Sequence, residues 1–194
     1  MFIAFEGPDK TGKSTSADNL AFDGKGIYNI TKEVHEEMRR EMADYPELPV
    51  AYDRIDWLTH MAYRLALPEH EWNDPRVRTV FAMPDTHLVF KLHEKSLAGH
   101  ISDELYTDGT LATVNDMYSL LSWMIMDLNE AREWALFKTV TIIEVSNDLS
   151  AGTFTSRLLH FSSPVFKFID VAKQRVHDDE TLLELLRYED SKRL

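Results

Sequence analysis

The residues best suited to chemistry lie in one run, Gly7-Pro-Asp-Lys-Thr-Gly-Lys-Ser-Thr15. Its glycine spacing, followed at once by lysine and a hydroxyl residue, matches G-x-x-x-x-G-K-S, the phosphate-binding loop. Gly7 and Gly12 lack side chains, so the backbone between them can curl and turn successive N–H groups toward an anion. The expected nucleotide-binding segment runs from Gly7 through Asp9, Lys10, Thr11 and Gly12 to Lys13, Ser14 and Thr15. Lys13 brings a mobile positive charge for the β- and γ-phosphates, and Ser14 offers a hydroxyl to Mg²⁺. A helix beginning near Lys13 would aim its positive end at the same phosphates. The chemistry this predicts is binding of ATP or GTP with Mg²⁺.

A second pair, Asp53-Arg54, follows the apolar run Leu48 to Tyr52. A carboxylate at such a position holds Mg²⁺, often through water, or accepts a proton from the attacking group. The other reading of Asp53 is a helix N-cap for the segment starting near Ile55, which would not exclude catalysis. Arg54 is placed to clamp an acceptor phosphate or to spread transition-state charge.

These residues need a frame. Apolar strands are predicted at Met1–Glu6, Gly26–Ile30, Leu48–Tyr52, Thr86–Leu92 and the β-branched run Thr139–Val145. Helices are predicted between them, at Lys13–Asn19, Lys32–Asp44, Ile55–Leu67 and Leu111–Phe137. Strands alternating with helices indicate an α/β fold with a five-stranded parallel sheet flanked by helices in three layers. The chain reads as a single domain over residues 1–194, with 151–194 a helical C-terminal extension in two pieces, Pro164–His177 and Asp179–Tyr188.

Composition narrows the partners. The 194 residues carry a formal net charge of −12, with 33 acids against 21 bases, and no Lys/Arg run exceeds two residues. That balance argues against strong attraction to nucleic acid and suits a small phosphorylated substrate held by a few local cations. No apolar run approaches the roughly 20 residues that span a bilayer. Because the sequence opens directly on the first strand, no signal or transit segment is expected. With no cysteine there is no disulfide, thiolate nucleophile or Cys-ligated zinc, and a cytoplasmic setting is expected. His87, His93 and His100 lack the spacing of a metal site. The Glu36, Glu37 and Glu41 charges among Arg39 and Arg40 read as a solvated helix face.

The run Phe5-Glu6-Gly7-Pro8-Asp9-Lys10-Thr11-Gly12-Lys13-Ser14-Thr15 resembles the phosphate loop of thymidylate kinases, which convert dTMP to dTDP. Asp53-Arg54 is similar to their Asp-Arg pair at the end of the third strand, and Pro84-Asp85 to their Pro-Asp before an apolar strand. The resemblance implies a P-loop kinase fold, ATP and Mg²⁺ as cofactors, and catalytic roles for Lys13, Asp53, Arg54 and Lys10. Ser14 and Asp53 become the implied metal residues. Asp9 matches the acid that holds the acceptor's 3′-hydroxyl, and Lys10 the subgroup whose loop supplies the catalytic cation. Glu6 matches the acid before the first glycine. A lid is implied near Lys95 to Leu111, and a donor-base loop at Ser146 to Ser150. Thr31-Lys32-Glu33 departs from the family's Arg-Glu-Pro, and the thymine-binding helix has no equivalent. Tyr52, Trp57, Tyr63, Arg64, Trp72, Arg76 and Arg78 are the replacement candidates, with core packing or a solvated edge as the competing reading of each.

The expected function is therefore ATP-dependent phosphoryl transfer to a deoxynucleotide, foremost dTMP or a related pyrimidine deoxynucleoside monophosphate. A deoxynucleoside or a hydroxymethyl pyrimidine within DNA stays open as acceptor, as does a non-catalytic nucleotide switch and a homodimer. The compact size suits a viral kinase, whose compartment would be the host cytoplasm.

Overall fold

The computed structural model describes residues 1–94, 110–131, 135–148, 153–162 and 178–191. Its centre is β1 (Phe2–Glu6), a strand with every residue buried. The chain continues as α1 (Lys13–Leu20), β2 (Ile27–Ile30), α2 (Lys32–Glu41), β3 (Val50–Ile55), α3 (Asp56–Ala66) and α4 (Asp74–Arg78). Then come β4 (Met83–His93), α5 (Thr110–Glu130), β5 (Phe137–Asp148), β6 (Thr153–Ser162) and α6 (Asp179–Ser191).

The strands form one sheet in the order β2-β3-β1-β4-β5-β6. β1 pairs in parallel with β3 on one side and β4 on the other. The chain thus crosses from one side of β1 to the other between β3 and β4. Ligands of open α/β sheets bind at the carboxyl ends of the strands beside such a crossing. The phosphate loop leaves β1 at that end.

Alternation along β1 sends its side chains to two cores. Phe2 and Ala4 join Tyr52, Trp57, Leu88, Val114 and Tyr118 on the face covered by α3 and α5. Ile3 and Phe5 join Ala17, Leu20, Val89, Ile143, Leu182 and Leu186 on the face covered by α1 and α6. Leu182 and Leu186 dock α6, and each is buried. Full burial of a leucine is worth about 1.5–3 kcal/mol.

The sheet corrects the expected count and direction. It has six strands, and β6 runs antiparallel to β5. Residues 151–194 are accordingly not all helical. The run Thr-Phe-Thr-Ser-Arg-Leu-Leu-His-Phe-Ser pairs along β5, with Leu158 in the core and Arg157 bonded to Glu144 across the strands at 2.5 Å. β5 itself continues to Asp148, so Ser146–Asp148 is strand and not the start of a loop. α5 ends at Glu130, because Asn129 turns back and bonds both backbone groups of Phe137, which opens β5. The segment 163–177, most of the expected lid at 95–109, and His100 lie outside the described residues. Among the described residues, no helix is long and apolar enough to cross a membrane.

Candidate functional site

The loop after β1 has the conformation its glycines permit. Gly7 sits at φ +142° and Gly12 at φ +75°, both costly for residues with a Cβ. Gly7 is also required by space, because a Cβ there would collide with the Lys91 carbonyl of β4. Lys10 adopts φ +65° at the exposed tip. α1 begins at Lys13 with no side-chain cap at its N-terminus, so its leading N–H groups stay available to an anion.

Lys13 is folded back along the loop. Its Nζ donates to the Pro8 carbonyl at 2.5 Å and to Thr11 Oγ1 at 3.3 Å. Burial, and then the nearby Arg54 charge, push its ammonium down to about 7. Thr11 donates in turn to Pro8 O at 3.0 Å. The lysine is held by neutral oxygens, a placement that leaves its charge incompletely compensated.

Asp53 and Arg54 fall inside β3, next to β1, and the residue that caps α3 is Ile55. The N-cap reading of Asp53 therefore does not apply. Asp53 Oδ2 accepts the Ser14 hydroxyl at 2.6 Å, while Oδ1 is buried with no hydrogen-bond partner among the described residues. An unsatisfied buried carboxylate oxygen is costly and points to a missing partner. Arg54 occupies φ +81°, a strained value for arginine. Its guanidinium is fixed by the Gly7 carbonyl at 3.3 Å, the Tyr118 hydroxyl at 3.1 Å and the Asp9 carboxylate.

Asp9 binds Arg54 through one oxygen and receives the Tyr63 hydroxyl on the other at 2.9 Å. Glu6 lies beneath, accepting from the Ile55 backbone at 2.5 Å and from Thr59 at 3.1 Å. Burial pushes the Glu6 carboxyl up, against the pull of Arg54.

Two cavities flank the loop and share Gly12 and Thr15 in their walls. One, of about 700 Å³, opens on the β3 side and is lined by Asp9, Lys10, Lys13, Asp53, Tyr63 and Trp72 among others. The second, of about 670 Å³, lies on the α1 side between Ser16, Asn19, Lys91, Val145 and the start of α6. The loop thus stands between two separate spaces.

The replacement candidates fall in different places, and Tyr63 and Trp72 both pack on the core and line a cavity. Tyr63 and Trp72 reach the first cavity, whereas Trp57 and Tyr52 are core. Tyr52 instead bonds His35 at 3.0 Å, away from the loop. Arg76 pairs with Asp56 at 3.7 Å, and Arg64 and Arg78 line neither cavity. Asp85 lies at the opposite end of the sheet, bound to Arg39 at 2.7 Å and His35 at 3.2 Å. Among the described residues no cluster of His and acidic side chains could hold a metal ion by itself.

Sequence reasoning missed Tyr118, Thr59, Lys91 and Asp179, and it set His93 aside as scattered. His93 Nε2 donates to the Asp9 carbonyl at 2.7 Å, and its backbone is held on both sides by Asn115 of α5. The one available signal was two polar residues, Lys91 and His93, inside an apolar strand pattern.

No protein-family model matches the chain, and no curated protein does. In structure it is similar to the YorR protein from Bacillus subtilis, seen in a crystal structure in complex with phosphorylated GDP. The two share 17% sequence identity at a TM-score of 0.38, over 64% of this chain and 80% of that one.

Proposed function

We propose that this chain is a small P-loop nucleotide kinase that transfers the γ-phosphoryl group of ATP to a deoxynucleoside monophosphate, foremost a pyrimidine one. The observation that carries this reading is the pair of cavities that share Gly12 and Thr15 in their walls, with Lys13, Ser14 and Asp53 lining the one on the β3 side. A kinase needs such a layout, with donor and acceptor held apart and their phosphates converging on one loop.

The cavity on the α1 side suits the donor nucleoside, and the Trp72–Tyr63 cavity suits the acceptor. In this reading Val145, Ser156 and the first turn of α6 form the described wall of the donor-base space, while Leu149 and Ser150 of the expected loop lie outside the described residues. Mg²⁺ fits the site on the strength of the orphaned Asp53 Oδ1 and the adjoining Ser14 hydroxyl. Bound there, it would neutralise phosphate oxygens, with protein ligation limited to one or two groups.

The chain's own residues then divide the work. The loop amides and Lys13 hold the donor phosphates, Lys10 at the exposed tip adds charge near the bridging oxygen, and Arg54 stabilises the transferring group. Arg54 is pre-set by Tyr118 and Gly7, so its guanidinium needs no reordering. Asp9 holds Arg54 in the absence of substrate and becomes the sugar contact when an acceptor phosphate takes over that arginine. The test is label transfer from γ-labelled ATP with Mg²⁺ to separate pools of nucleosides, nucleoside monophosphates, and plain or hydroxymethylated DNA. Transfer to a deoxynucleoside monophosphate is expected. Transfer to no pool, with ATP still bound, would leave only a binding module.

A further inference from the structure

Lys91 is a lysine near the carboxyl end of a largely buried strand, 8% exposed, that meets no carboxylate directly among the described residues. Burying an ammonium costs several kcal/mol unless something compensates it. Its Nζ donates to the Gly12 carbonyl at 3.2 Å and to Ser16 Oγ at 2.7 Å. It therefore sits against the first turn of α1, where the helix presents its own positive end. The arrangement concentrates positive charge under a loop shaped for anions.

The same residue touches both glycines of that loop. β1 and β4 are in register at Glu6 and Phe90, so Gly7 lies beside the Lys91 backbone and tolerates no Cβ against it. The Lys91 side chain then reaches Gly12 at the loop's other end. One residue of β4 is thus the surface on which the loop is wrapped.

Compensation comes from far away in sequence. Ser16 accepts from Lys91 and donates its own hydroxyl hydrogen bond to Asp179 Oδ1 at 2.6 Å, across 163 residues. Asn19 donates to the other Asp179 oxygen at 2.9 Å. Asp179 is the first residue of α6, whose opening turn walls the cavity assigned to the donor. Burial holds the Lys91 ammonium below the usual lysine range, and Asp179 offsets only part of that.

We propose that Lys91 is a positioning residue for the phosphate loop, and that the relay Lys91–Ser16–Asp179 makes α6 an obligatory part of the nucleotide site. The inference rests on the nucleotide-binding reading above. Phosphates in the loop supply the anion Lys91 lacks. A Lys91 held charged keeps Ser16 turned toward Asp179, and α6 stays closed on the donor cavity. Occupancy of the loop and docking of α6 are then two sides of one equilibrium.

The experiment uses the full chain and its Lys91→Met, Asp179→Asn and double variants. Titration calorimetry gives the Kd for ATP–Mg²⁺, and amide hydrogen exchange follows residues 180–190 with and without it. Each single variant should weaken ATP binding about tenfold, the worth of one charge-assisted hydrogen bond. The double variant should bind no worse than Lys91→Met, and ATP should no longer slow exchange in α6. Additive losses, or ATP protection of α6 that survives in Asp179→Asn, would overturn the relay. If Lys91→Met does not fold, Asp179→Asn and Ser16→Ala decide alone, and unchanged affinity with unchanged protection in both overturns it. A wild-type chain that binds no ATP refutes the nucleotide reading itself, a different result from variants that bind as tightly as wild type.

Discussion

The two ends of the central sheet treat buried charge in opposite ways. At the amino end, His35 meets Asp85, which also binds Arg39, and His87 meets Asp190, which also binds Lys138. Those groups form closed carboxylate pairs. At the carboxyl end Arg54 and Asp9 also form a pair, but Lys13 and Lys91 donate to neutral oxygens, and Asp53 keeps one buried oxygen without a hydrogen bond among the described residues. Both ends are built from the same strands, so the difference is not one of fold. Closed pairs at one end secure α2 and α6 to the sheet. Open charges at the other await a ligand, at a cost in stability that a purely structural network would not carry.

The comparison breaks most readily at Lys13. Lys13→Ala should lower kcat/KM for phosphoryl transfer at least about a hundredfold, the scale of losing one preorganised transition-state donor. Its melting temperature should hold or rise, because a buried ammonium held only by neutral oxygens is removed. A large loss of stability would mean that Lys13 is structural. Asp53→Asn comes next, with about a tenfold to hundredfold loss that added Mg²⁺ partly recovers, and no more than about 1 kcal/mol of stability lost. Transfer rates at several Mg²⁺ concentrations, alongside urea unfolding, check both halves.

The amino end should respond in reverse. His87→Ala removes one partner from Asp190, which keeps Lys138, and one from Thr139, and should cost about 1 kcal/mol in urea unfolding, while ATP affinity stays within about twofold of wild type. The smallest effect is one of pH. Partial burial works against the charge of Asp190, but hydrogen bonds from His87 and Lys138 outweigh it and hold the carboxyl down at about 2. Its folded value lies below the ordinary 3.8, so its contribution is complete above that pH and is lost as pH falls toward 2. Near-UV circular dichroism should therefore show a shallower acid limb for Asp190→Asn than for wild type between those values. Identical limbs would remove Asp190 from the docking of α6.

Much of the loop after β1 and its surroundings was legible because those residues are local in sequence. Gly7, Gly12, Lys13 and Ser14 form one motif, and Asp53-Arg54 ends an apolar run beside it. The α/β alternation and five of the strands followed from runs of buried apolar residues. β6 was not legible, because hydroxyl residues are interleaved with its apolar ones in sequence and mask the strand pattern. Lys91 and Asp179 could not be joined from sequence, since only the topology brings α6 back to α1. The left-handed backbone at Arg54 also has no sequence signature, since it is the surroundings of Arg54 that hold it there.

On this reading the open charges around Gly12 are there to receive nucleotide phosphates. Calorimetric titration of the full chain with ATP–Mg²⁺, run beside Lys13→Ala, tests this most directly. The account predicts saturable one-to-one binding by wild type, weakened at least about tenfold in the variant. No binding by wild type, or equal binding by both proteins, would contradict it.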